Sequence, residues 1–150
     1  MDKINDISTH LLEFSKATDY KLMEAVDLKD PIKSVLDIAG AEMALNDILV
    51  DDATGGAPKV RWNKKYIEKI LFNLVQNTIH AIGRKGRIKI SAKDAGFYIE
   101  LTARDTGCGI SDENMNHAFE PFFTTKNGHS GVGLGLYIIK QLMTRMEKEF

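Results

Sequence analysis

The stretch Asn63–Gly83, NKKYIEKILFNLVQNTIHAIG, decides the fold. At 100° per residue, Ile67, Ile70, Leu71, Leu74, Thr78, Ala81 and Ile82 fall on one broad arc, the pattern of a helix with one side laid on a sheet. Asn63 carries the side chain of an N-cap, and Gly83, in the basic turn IGRKG, suits a C-cap. A neighbouring arc holds Lys69, Asn73, Asn77 and His80. Two asparagines four apart share a helical face, where they can offer carbonyl oxygens to a hard cation and amide hydrogens to phosphate. The same spacing also describes a solvated polar face, and the pair alone does not decide between the two.

Downstream, RIKISA and FYIELTAR flank KDAG, a β-hairpin with Ile88, Ile90 and Ala92 on one face and Phe97, Ile99, Leu101 and Ala103 on the matching face of the second strand. Asp105 continues that parity, so its carboxylate is expected on the core side, where it must find hydrogen-bond donors. An adenine amine is one such donor; a turn backbone before glycine is the other. Upstream, Asp30–Pro31 predicts an N-cap followed by proline at the first helical position, with Ile32, Val35, Leu36, Ala39 and Met43 on the buried side. NDILVDD and KVRW are predicted strands around the turn ATGGAP, and DYKLMEAVDLKD an extended or irregular connection. Ile4, Ile7, Leu11, Leu12 and Phe14 place a short amphipathic helix over residues 3–16. The order helix, hairpin, loop, helix predicts an α+β two-layer sandwich with helices on one sheet face.

Twenty basic and twenty-one acidic residues leave a net charge of −1, no global field for nucleic acid or an anionic membrane, so any anion site must be local. The single cysteine, Cys108, excludes an internal disulfide, and no signal-peptide pattern or membrane-length apolar run is present, which predicts a cytoplasmic segment. A local anion site is suggested by SGVGLGLYIIKQLM, Ser130–Met143, where Gly131, Gly133 and Gly135 lead into an amphipathic helix. Bare N–H groups and the helix dipole favour negative charge there. The spacing is that of neither a P-loop nor a dinucleotide fingerprint.

FNLVQNTIHAI, DTGCGI, FEPFFTTK and GVGLGL, in this order, resemble the four ATP-site boxes of the catalytic domain of bacterial sensor histidine kinases, and FEPFFTTK is similar to the nitrogen-regulation type. The resemblance covers residues 26–143. It implies a mixed sheet with helices on one face (the Bergerat-type fold shared with gyrase and mismatch-repair ATPases), a mobile ATP lid, and ATP with Mg²⁺ as ligands. Carried onto this chain, it makes Asn77 the metal ligand, with Asn73 near the metal and phosphates and His80 at a position that often makes a basic phosphate contact. Asp105 would read the adenine amine, and Gly107, Gly109 and Ile110 would close around the ring. Phe119, Phe122, Thr125 and Lys126 fall in the lid, with Lys126 aimed at the terminal phosphate. Gly131, Val132, Gly133, Leu134, Gly135 and Leu136 would line the triphosphate and anchor the helix. Hydrolytic branches of the superfamily place a glutamate at the position of Asn73; an amide cannot take a proton from water, which favours transfer over hydrolysis. Asn73 and Lys126 are thus the residues expected to act in transfer.

The resemblance divides the chain into residues 1–25, the end of a dimerisation-domain helix and its linker, and residues 26–150, the catalytic domain. His10 lacks the flanking residues of the family's acceptor motif, and His117 and His129 lie in the expected lid, so the acceptor histidine is expected on a separate dimerisation domain with a response regulator downstream. The family's closing hairpin is not found before Phe150, and its absence is expected to leave the strand ending at Asp105 as an open edge that favours self-association. Of the lid aromatics Phe119, Phe122 and Phe123, at least one is expected in a core. Two other readings remain: a stand-alone anti-sigma-type serine kinase, and a nucleotide-binding module without catalysis.

Overall fold

A computed structural model describes residues 23–56, 58–126 and 131–147. The predicted helix over residues 3–16, His10 and His129 lie outside the described residues. Two compact units are present, one built on residues 23–109 and the other on the segment from Ile110 onward.

The first unit contains β1 (Glu24–Asp27), α1 (Lys29–Leu45), β2 (Ile48–Ala53), β3 (Lys59–Trp62), α2 (Lys64–Ile82), β4 (Gly86–Asp94) and β5 (Ile99–Asp105). Strands β2, β4 and β5 form a mixed sheet: β2 runs parallel to β4, and β4 antiparallel to β5. The two predicted early strands do not pair with each other. β3 instead pairs antiparallel with β1, Val60 opposite Val26, in a separate ribbon. Parallel pairing of β2 with β4 needs a long crossover, and β3 together with α2 supplies it.

The core is one cluster. Ile88 and Ile90 of β4 are fully buried beneath Ile67, Leu71, Val75 and Ile79 of α2 and Ile32, Val35, Ala39 and Met43 of α1. Ile99 and Leu101 of β5 pack against its margin, while the opposite sheet face carries Lys89, Ser91, Glu100, Thr102 and Arg104. Helices on one face and polar side chains on the other are what the strand alternation predicted.

Four local expectations are corrected. On α2, Val75 and Ile79 are buried and Leu74, Ala81 and Ile82 are only half-buried, because α1 packs beside α2 and turns the apolar stripe toward the i, i+4 row from Ile67. Asp30 does not cap α1; it lies in the first turn, and the Asp27 carboxylate accepts the Lys29 N–H at 3.1 Å instead. Phe97 is not on the core face, because the hairpin turn closes from Ala95 N to Tyr98 O, leaving Phe97 at its tip and fully exposed. In the second unit none of Phe119, Phe122 and Phe123 is buried, and Ala118 is, because the short turns around Asp112–Met115 leave the rings on their outer side.

The expected α2 caps hold. Asn63 is buried and its Oδ1 accepts from Lys65 N at 3.0 Å and Tyr66 N at 3.4 Å; Gly83, at φ 68°, returns its N–H to Ile79 O at 2.9 Å. Asn63→Ala takes the side-chain acceptor from Lys65 N, while Tyr66 N keeps the Asn63 carbonyl at 3.1 Å, and we expect urea unfolding to show a loss of about 1 kcal/mol.

The second unit holds α3 (Asp112–Met115), capped by Ser111 Oγ on Asn114 N, and α4 (Gly135–Glu147), which buries Ile138, Ile139, Leu142 and Met146. Among the described residues, no helix is long and apolar enough to cross a membrane.

Candidate functional site

The predicted site residues divide between the two units. In the first, α2 presents Lys69, Asn73, Asn77 and His80, and their environments differ. Asn73 is buried, and its Nδ2 donates to the Lys69 carbonyl at 2.8 Å, one turn back. That bond fixes the rotamer and leaves Oδ1 as the amide's acceptor. Asn77 is half-buried, and among the described residues no protein group bonds its amide. His80 is exposed in the last turn, where a cation is favoured by the helix C-terminus.

Beyond β5 the chain folds back onto the end of α2. Cys108 N donates to Ala81 O at 3.1 Å, and Gly107 lies so close that a Cβ there would stand 2.5 Å from the Ala81 carbonyl carbon. The turn is held from the other side by Thr106, whose N–H reaches Arg87 O at 3.2 Å while its Oγ1 accepts from Arg87 N at 3.0 Å. This approach of glycine to helix joins the asparagine-bearing α2 to the end of β5.

Asp105 stands opposite Ile88, so the predicted parity is right, but the carboxylate is exposed rather than directed into the core. It is the last residue of β5, where the pleat runs out to solvent, and no buried-charge cost arises. Its Oδ1 accepts from Gly107 N at 2.8 Å, the turn-capping contact. The second oxygen is left for a further donor. Gly109 has φ 70°, Ile110 is half exposed, and Cys108 is exposed with its thiol toward Gly109 O.

In the second unit, Phe122 sits in the left-handed region at φ 65°, unusual for a bulky residue. The reason is local packing: Gly133, at φ 75°, lies against the Phe122–Phe123 backbone, where a Cβ would meet the Phe123 carbonyl oxygen at 2.5 Å. Gly131 borders the Lys126 stem at 3.6 Å from its ideal Cβ, and Lys126 N bonds Thr124 Oγ1. Thr125 is exposed; Gly131, Val132, Gly135 and Leu136 are half-buried; Leu134 is buried and its carbonyl accepts the Ile138 N–H, starting α4. His117 pairs with Glu120 at 2.9 Å and sits 5.8 Å from the Phe123 ring.

Sequence reasoning missed Ala81, whose carbonyl and surface receive the Gly107–Cys108 turn, and the structural part played by Thr106. The doubled glycine of TGCG was the available signal, since glycine marks close backbone approach. A broad depression of about 910 Å³, lined by Ala44, Asp47, Leu49, Lys85, Arg87 and Thr106 among others, contains none of the predicted nucleotide residues.

A helix with paired amides, an aspartate ending the neighbouring strand, a glycine turn folded on that helix and a glycine-led second helix are the parts of a nucleotide-handling α+β domain. Residues 63–150 match the histidine kinase-, DNA gyrase B- and HSP90-like ATPases, and the chain belongs to that family. The sensor histidine kinase ZraS of Escherichia coli O157:H7 is 32% identical over 143 residues, covering 95% of this chain and 31% of that protein. The C4-dicarboxylate transport sensor protein DctB of Pseudomonas aeruginosa is 31% identical over 154 residues, covering 95% and 25%. The chain therefore spans between a quarter and a third of the length of these curated relatives. Among solved structures, the nucleotide-free catalytic domain of the histidine kinase ThkA matches with a TM-score of 0.75 and 30% identity over 82% of this chain and 80% of that one. ThkA in complex with the response regulator TrrA matches with a TM-score of 0.67 and 29% identity, over 81% of this chain and 36% of that one. The mixed α+β architecture is that of histidine kinase catalytic domains.

Proposed function

We propose that this chain binds Mg-ATP and donates the γ-phosphoryl group to a histidine on a dimerisation and phosphoacceptor domain, in the same parent protein or another chain, with a response regulator downstream. The observation that carries this reading is the amide pair of α2. Asn73 is buried and tied to Lys69 O, Asn77 has no protein partner among the described residues, and neither can act as the base that hydrolysis requires. A site of amides and glycines can position and neutralise, which is most of what phosphoryl transfer asks of a protein.

The donor set fits Mg²⁺. This ion keeps several waters and takes few protein oxygens beside phosphate, so one amide oxygen from Asn77 suffices, and no cluster of three acidic or imidazole ligands is present among the described residues. Bound there, the ion would offset phosphate charge. Asn73 orients the phosphates, and His80 adds a basic contact. The second carboxylate oxygen of Asp105 accepts the adenine amine, while Gly107, Gly109 and Ile110 border the ring. Phe122, Thr125 and Lys126 belong to the lid, Lys126 neutralising the terminal phosphate. Gly131, Val132, Gly133, Leu134, Gly135 and Leu136 bring backbone N–H groups and the start of α4 to the triphosphate. Residues 1–25 are assigned to the end of the dimerisation segment and residues 26–150 to the catalytic domain.

The test mixes this chain with a separately prepared dimerisation domain, shown to be competent with another kinase, and labelled ATP. Acid-labile, base-stable phosphate on that domain is the expected result. Absence of transfer, or label on serine, overturns the histidine-kinase assignment; serine label would favour the anti-sigma type.

A further inference from the structure

A strand that turns away from its sheet must give up a ladder bond, and β5 does so at Thr106. The register sets Asp105 opposite Ile88, so the next facing pair is Thr106 with Arg87. Thr106 N donates to Arg87 O at 3.2 Å, one half of the exchange that a hydrogen-bonded antiparallel pair makes. The other half is altered. Arg87 N donates to the Thr106 hydroxyl at 3.0 Å, where the ladder would use the Thr106 carbonyl. With that carbonyl released from β4, the following residues turn onto α2: Gly107 comes against Ala81, and Cys108 N donates to Ala81 O at 3.1 Å.

The Thr106 side chain is itself confined. A Cβ on Gly86 would stand 2.6 Å from both Thr106 Oγ1 and Ile82 Cγ2, so the hydroxyl uses space that a glycine leaves between the start of β4 and the end of α2. Across Thr106, Asp105 Oδ1 accepts from Gly107 N at 2.8 Å. The orientation of this exposed carboxylate therefore follows the position of Gly107. Gly107 in turn reaches α2 because the Thr106 hydroxyl has replaced the carbonyl and ended the strand.

We propose that Thr106 is a positioning residue for base discrimination: through the Asp105–Gly107 turn it aims the second Asp105 oxygen at the amino group of adenine. The inference rests on the reading of Asp105 and the glycine turn as the adenine site, and Thr106 itself touches no nucleotide. Valine at this position would keep the shape and lose the hydroxyl. Arg87 N could then take the backbone carbonyl of residue 106, and a β-branched apolar side chain favours the added strand pair. Gly107 would be drawn off Ala81, and the Asp105 carboxylate would turn with it. The lost side-chain bond is exposed, so water can replace it and folding stability changes little.

The test is calorimetric titration of the full 150-residue chain, in Mg²⁺, with ATP, with inosine triphosphate, whose base carries a carbonyl in place of the amine, and with tripolyphosphate, which has no base. The parent chain is expected to bind ATP at least about tenfold more tightly than inosine triphosphate. Thr106→Val should remove most of that preference by weakening ATP, and leave tripolyphosphate unchanged. Thr106→Ser, which keeps the hydroxyl, should retain the parental preference. Hydrogen exchange gives a second reading: the Cys108 amide should exchange faster in Thr106→Val and at the parental rate in Thr106→Ser. An unaltered preference or an equally protected Cys108 amide in Thr106→Val, a loss shared with tripolyphosphate, or the same loss in Thr106→Ser would each overturn the role of the hydroxyl while leaving the nucleotide site standing. A parent chain that binds neither nucleotide overturns the nucleotide reading, and this inference with it.

Discussion

Gly107→Ala is expected to lower the unfolding free energy by about 3 kcal/mol, more than a surface turn substitution has reason to cost. A Cβ at this position would lie 2.5 Å from the Ala81 carbonyl carbon, 2.6 Å from its oxygen and 2.7 Å from its Cβ. Two of these three atoms are helix backbone, which cannot swing aside as a flexible side chain would. Relief requires the turn to lift away from α2, breaking the Cys108 N to Ala81 O bond and loosening the Asp105 carboxylate's hold on Gly107 N. Gly109→Ala separates collision from conformation. Gly109 has a left-handed φ of 70° but nothing within 4 Å of an added Cβ, so its cost is the backbone strain alone, about 1 kcal/mol. Urea unfolding of both variants, with comparable m-values, measures the difference. Equal stability of Gly107→Ala and the parent chain would mean that the turn does not rest on α2 in solution.

Asn77→Ala is expected to act on binding rather than on folding. The amide is half-buried and has no protein partner among the described residues, and alanine is the better helix former, so stability should change little. Loss of the proposed metal-bound oxygen should weaken ATP in the presence of Mg²⁺ roughly a hundredfold, the scale of an interaction of about 2.7 kcal/mol. ATP measured in EDTA should be nearly unaffected. Calorimetric titration with and without Mg²⁺ gives both numbers, and an unchanged Mg²⁺-dependent affinity removes Asn77 from the metal site. Asn73→Ala should behave differently, since it also deletes the bond to Lys69 O and opens a small buried gap, costing stability as well as binding.

What the sequence made legible was local. The caps of α2 at Asn63 and Gly83, the hairpin of β4 and β5 and the start of α4 follow from residue types acting within a few positions of each other. Pairing across distance was not legible: nothing near KVRW says that it joins Glu24–Asp27 rather than the strand just before it. The helical wheel gave α2 the correct polar arc but a displaced apolar one, because a wheel reports periodicity and not that α1 shares the burial with the sheet. Parity placed Asp105 on the right face, yet parity is silent on where a sheet ends and water begins. The Asn73 bond to Lys69 O is a rotamer outcome that spacing cannot specify. The glycine doublet announced a close approach without naming Ala81 as the surface approached.

The parallel register of β2 with β4, Ile48 opposite Gly86 through Ala53 opposite Ser91, also orders events in time. The whole of α2 lies inside the loop that this pairing closes, so the sheet cannot be completed until more than thirty intervening residues have been gathered in. Pairing strands across that separation is slow compared with winding a helix. The asparagines can therefore be helical before the sheet is complete. A nucleotide held by α2 and β5 would favour the completed fold over the open chain by mass action.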